Sequence, residues 1–75
     1  MDADLLRIRV RVPESSVGYI SGELSSRGAW LDQVAKEAGI STVTARIPAT
    51  EVEGFRSWLD SFTRGTGELE TLGTQ

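Results

Sequence analysis

Leu31 to Ile47 reads LDQVAKEAGISTVTARI, and two folds compete for it. One is a pair of helices about a turn at Gly39, with Ala35 and Ile40-Ser41 at the places such a motif requires. The other is a pair of strands joined by the same turn. Three features decide for strands. Pro48 would fall inside the second helix, where proline costs about 3 kcal/mol or more. Ala45 would stand where that helix needs a larger aliphatic core residue. Thr42-Val43-Thr44 prefers a pleated surface. The reading is therefore a strand over Ala29–Val34, a turn over Lys36–Gly39 and a strand over Ile40–Ile47. In the last of these, Val43, Ala45 and Ile47 share one face, and Thr42, Thr44 and Arg46 share the other.

The flanks complete the pattern. In LLRIRVRV, Leu5 to Val12, the apolar Leu6, Ile8, Val10 and Val12 alternate with Arg7, Arg9 and Arg11, the period of a half-buried strand. Pro13 suits the first position of a helix, and Glu14 suits its positive end. Val17, Ile20 and Leu24 form one helical face, and Gly28 stops the helix with Arg27 in its last turn. After Pro48, Thr50 is placed to cap a second helix. Glu51 and Glu53 lie in its first turn, and Val52, Phe55, Leu59 and Phe62 form its apolar stripe. Arg64 and Gly65 close it. Glu68–Leu72 is a last strand, and the tail Gly73–Gln75 is expected to fray. The order β-α-β-β-α-β is the ferredoxin-like α+β arrangement. Two crossovers interleave into one four-stranded antiparallel sheet, with both helices on one face and the other face open.

Composition narrows the functions. The chain has 75 residues, a net charge of −3, and neither cysteine nor histidine. That length is one domain, residues 1–75, with a small core. Without histidine or cysteine, the commonest general base and metal ligands are gone, so neither a catalytic nor a metal site is expected. The serines have no histidine to activate them. No G-x-x-x-x-G-K-[ST] loop is present to cradle a nucleotide phosphate, and no cofactor is expected. No apolar run reaches the roughly 20 residues of a membrane helix, so no membrane partner is expected. The acidic start MDADLL is no secretory leader, which makes the cytoplasm the expected location.

Two stretches carry a resemblance. VPESSVGYISGELSSRG, Val12 to Gly28, resembles the first helix of the C-terminal domain (domain V) of elongation factor G. IPATEVEGFRSWLDSFTRGTGEL, Ile47 to Leu69, resembles its third-strand end, second helix and following turn. The family pattern there falls on Pro48, Glu51, Gly54, Phe55 and Leu59, then on T-x-G-x-G at Thr63, Gly65 and Gly67. The C-terminal domain of the IMPACT-like family is a more distant relative of the same fold. Gly18, Gly22 and Gly54 each cost roughly 1 kcal/mol against alanine in a helix. Their presence is read as close approach, with Gly18 and Gly22 one turn apart. Tyr19 and Trp58 depart from the family, standing where it usually has polar residues. A separate segment, Leu31–Ile47, is similar to the DNA-reading part of lac-repressor-type proteins, but Pro48 and Ala45 exclude sequence-specific DNA as a partner.

The resemblance implies a non-catalytic module that contacts the ribosome, through rRNA or a ribosomal protein, or another protein. A ferredoxin-like oligomerisation or regulatory module working through the open sheet face is the second reading, because the fold hosts many functions. Arg7, Arg9, Arg11 and Arg46 on the open face are the candidate partner-binding residues, with Tyr19 and Trp58 as candidate contacts on the helices. The plainer alternative is a solvated face on which Glu68 and Glu70 pair with the arginines. For Trp58 it is a boundary residue over a small core.

Overall fold

The computed structural model describes residues 4–74. β1 (Leu5–Pro13) leads through a 3-10 turn, Glu14–Ser16, into α1 (Val17–Ser26). β2 (Trp30–Glu37) and β3 (Ile40–Pro48) follow as a hairpin. A second 3-10 turn, Ala49–Glu51, leads into α2 (Val52–Thr63), and β4 (Glu68–Thr74) ends the order. The sheet runs β2-β3-β1-β4 with all neighbours antiparallel, the ferredoxin-like α+β fold. No helix among the described residues is long and apolar enough to cross a membrane.

The core lies between the helices and one face of the sheet. Ile8, Val10 and Val12 of β1 meet Val43, Ala45 and Ile47 of β3. Ile20 and Leu24 of α1 and Val52, Phe55 and Leu59 of α2 cover them. Burying each large apolar side chain contributes about 1.5–3 kcal/mol, so this one cluster supplies most of the driving force. β1 and β3 are central: β1 alternates buried with exposed residues from Arg7 onward, and β3 alternates buried with half-buried ones. β2 is different, because every residue of it is exposed. The helices do not reach over that edge, which leaves Leu31 and Val34 partly bare on the helix side.

The two halves enter their helices alike. Val12-Pro13 and Ile47-Pro48 each end a strand, and three residues of 3-10 turn precede a helix that begins at a valine, Val17 or Val52. Pro13 thus ends β1 instead of opening α1. Thr50 does not cap α2; it lies inside the 3-10 turn, and Glu51 holds the N-cap position with no side-chain hydrogen bond. The tighter turn meets the need that a cap would have met: the N–H groups of Val17 and Val52 bond the carbonyls of Glu14 and Ala49.

Other boundaries move for similar reasons. β2 runs from Trp30 to Glu37, and the turn shrinks from the expected Lys36–Gly39 to Ala38 and Gly39. Both have positive φ, 54° and 81°, the twist that a two-residue hairpin loop prefers. β4 extends through Gly73 and Thr74, which the sequence reading assigned to a frayed tail; the last residue of that tail, Gln75, lies outside the described residues. Asp32 in β2 and Leu72 in β4 are bulge residues, passed over between Leu31/Gln33 and between Thr71/Gly73.

The glycine motif after α2 is a turn lock. Thr63 Oγ1 donates to the Leu59 carbonyl at 2.8 Å and accepts the Gly67 N–H at 2.9 Å. A Cβ on Gly67 would lie 2.9 Å from Thr63 Cγ2, and Gly65 has φ +83°. T-x-G-x-G therefore serves the fold. The close approach expected at Gly18 and Gly22 is absent: a Cβ at either would meet nothing within 4 Å. At Gly54 it is real, since a Cβ there would lie 2.7 Å from Arg27 Nη1. Phe62, expected in the core, is 39% exposed and packs instead between the rings of Tyr19 and Trp58.

Candidate functional site

The register lays out the open face row by row. Arg11 stands between Glu68 and Thr42, and Arg9 between Glu70 and Thr44. Arg7 stands between Gly73 and Arg46, and Arg46 in turn pairs with Trp30. Nothing else in the described chain lies over this face.

Three of the four arginines carry partners there. Arg9 Nη1 reaches Glu70 Oε1 at 3.0 Å, and Arg11 Nη1 reaches Glu68 Oε1 at 3.6 Å. Arg46 donates from Nε to Asp32 Oδ1 at 3.1 Å, and its Nη2 lies 2.9 Å from the same oxygen. The Asp32 bulge makes this contact, because the extra residue brings its carboxylate beside Arg46. Exposed pairs of this kind contribute 0 to about 1 kcal/mol each. Their larger effect is on potential: two rows of the face are locally neutral. Arg7 has no ion pair among the described residues, and its neighbour on β4 is a glycine without a side chain.

Tyr19 and Trp58 lie on the other layer of the molecule. Trp58 packs against the core edge and stacks on Phe55 at 5.8 Å and on Phe62 at 4.9 Å and 7°. Tyr19 of α1 meets Phe62 at 5.4 Å and stays 66% exposed. The six candidate residues therefore form two surfaces, with the arginines on the sheet and an aromatic row across the helices. Trp58 has the boundary position that its place on the helical wheel predicts.

A residue not singled out from the sequence stands with the arginines. Trp30 is 64% exposed, at the β2 end of the row that holds Arg46 and Arg7. A strand's sequence does not say which of its faces meets the core until its partner's register is known. The pairing of Trp30 with Arg46 is the signal that places it.

Arg27 does structural work. Nη2 lies 2.9 Å from Glu23 Oε2 and Nη1 lies 3.1 Å from Glu51 Oε1, so one half-buried guanidinium ties the end of α1 to the turn before α2. No group of three or more aspartate, glutamate, histidine or cysteine residues gathers to hold a metal among the described residues.

The family model of the elongation factor G C-terminus matches residues 5–73. A crystal structure of a protein from Thermus thermophilus superposes with a TM-score of 0.86 at 25% sequence identity. The alignment covers 97% of this chain and 11% of that one, so this chain spans about a tenth of that protein's length. The match takes in every strand and both helices, together with the turn lock at Thr63, Gly65 and Gly67. The chain belongs to the elongation factor G C-terminus family, a domain of translation factors.

Proposed function

We propose that this domain is a non-catalytic, cytoplasmic module that contacts the ribosome, at rRNA or a ribosomal protein, through the open face of its sheet. The observation that carries the reading is that face: in a translation-factor domain, four strands present side chains that no other part of the described chain covers. The Arg7 end is the positive end of the surface, and the Glu68 and Glu70 rows are balanced. A polyanion that binds along the face must open the Arg9 and Arg11 pairs, which are weak enough to open.

Co-sedimentation with purified large ribosomal subunits tests this. Binding is expected at low salt, with log affinity falling as log salt rises. Replacing Arg7, Arg9 and Arg11 with glutamine should weaken it, each lost phosphate contact flattening the slope by roughly 0.7–0.9. Glu68→Gln with Glu70→Gln should strengthen it, because both free an arginine. No co-sedimentation of the wild type at low salt overturns the proposal. Light scattering run alongside distinguishes the second reading: a self-associating module would change its oligomeric state on loss of the arginines.

A further inference from the structure

The open face is not uniform, and its uneven end defines a ligand class. The row Trp30, Arg46, Arg7, Gly73 crosses all four strands. Its members differ from those of the other rows in three ways. Where Arg9 and Arg11 face glutamates, Arg7 faces a glycine, so its charge is uncompensated among the described residues. Arg46 is held on one Asp32 oxygen by a hydrogen bond from Nε and an ion-pair contact from Nη2, which fixes the guanidinium between its neighbours. Trp30 stands at the row's end, mostly exposed, and no aromatic ring among the described residues stacks on it.

An exposed indole forgoes the burial that elsewhere stabilises this small core, so its solvent position has a cost that packing within the chain does not repay. A protein partner would explain the apolar ring but not a lone arginine beside it on a chain of net charge −3. A nucleotide explains both. Its base stacks on an aromatic face whatever its identity, and its phosphate takes a guanidinium. Trp30 and Arg7 are two strand spacings apart, about 10 Å. An arginine side chain closes much of that span toward a phosphate next to the stacked base. A base within a duplex has no free face to offer, so the strand must be unpaired.

We propose that Trp30 and Arg7 form a site for single-stranded RNA, with an unstacked base on the Trp30 indole and an adjacent phosphate on Arg7, and with Arg46 as the positioned group between them. The site rests on the ribosome-contacting reading and names what that contact recognises.

The test uses the 75-residue chain and a single-stranded oligoadenylate of about eight nucleotides, within the range of known single-strand sites. The chain has two tryptophans, whose indole N–H resonances report separately by NMR. A saturable shift of the Trp30 indole is expected, with that of Trp58 unmoved. Trp30→Ala should weaken binding on the order of tenfold, and Trp30→Phe, which keeps a ring, by much less. Arg7→Gln should lower the salt slope by roughly 0.7. With the oligonucleotide, any of these overturns the site: no saturable shift at millimolar RNA; a shift at Trp58 instead; equal binding of a duplex of the same length; or a Trp30 shift that follows protein concentration without RNA, which would mean that a second copy covers it. Ribosome co-sedimentation separates this failure from that of the broader reading. If Trp30→Ala co-sediments as the wild type does, the site is wrong and the ribosomal contact stands. If the wild type binds the oligonucleotide but not ribosomes, the contact is wrong and the site stands.

Discussion

Arg27 and Gly54 make a small lock whose parts can be separated. The guanidinium that bridges Glu23 and Glu51 fills the space beside Gly54, so glycine there makes room for an ion pair. Gly18 and Gly22 have no such neighbour. Alanine should therefore act differently at the three sites. Gly18→Ala and Gly22→Ala should each stabilise the fold by about 1 kcal/mol, the helix-propensity difference. Gly54→Ala should bring no gain in the wild type, because the Cβ displaces the guanidinium. It should recover a gain of about 1 kcal/mol when Arg27 is already alanine. Urea denaturation of the three glycine variants, of Arg27→Ala and of Arg27→Ala with Gly54→Ala checks the series, and an equal gain at all three glycines would refute the lock. The sequence showed that these glycines are costly but not which one has a neighbour. That neighbour is a long side chain from another element, and helical spacing carries no record of it.

At the scale of elements, the hairpin and the aromatic row are the places to probe. Ala38 takes a left-handed φ of 54°, which suits asparagine or glycine better than alanine. Ala38→Asn should stabilise the hairpin by up to about 1 kcal/mol, seen as a higher Tm and slower amide exchange in β2. On α2, Phe55→Ala and Leu59→Ala should each cost about 2–5 kcal/mol, as core truncations do. Phe62→Ala should cost less, since Phe62 is 39% exposed, and Tyr19→Ala less again, since Tyr19 is 66% exposed. Equal losses at all four positions would show that the helix faces are misplaced. Much of this architecture is legible in the residues. The alternation in β1 and β3 sets their buried faces, Pro48 argues for strands over helices, and Glu68 and Glu70 fall opposite Arg11 and Arg9. What stays hidden is set across strands. The Asp32 and Leu72 bulges shift register by one residue, and a shift of that kind leaves no mark in local periodicity. The 3-10 entries are hidden too, because Thr50 and Pro13 fit cap positions as well as turn positions.

For the whole molecule, one layer carries the core and the other lies open. The helices and the buried side of β1 and β3 account for the core, while the opposite face holds charged rows of unequal balance. The sequence reading placed the arginines correctly but not their state, since pairing depends on which acid the register brings opposite. Loss of Arg7, Arg9 and Arg11 should leave folding intact by circular dichroism, because exposed pairs contribute little. The sheet has one more consequence. Leu6 of β1 pairs with Thr74 of β4, so the first and last strands lie side by side and the two ends of the described chain meet. The polypeptide can then be circularly permuted: a short linker joins the old termini, and new ones are cut between Ala38 and Gly39. The permutant should reach the same native spectrum, since no buried residue or central strand is severed. The cut makes the β2–β3 pairing distant while the linker makes β1–β4 local, so slower folding is expected only if the hairpin forms first. Stopped-flow refolding of the two circuits would show whether the hairpin or the β1–β4 closure sets the pace.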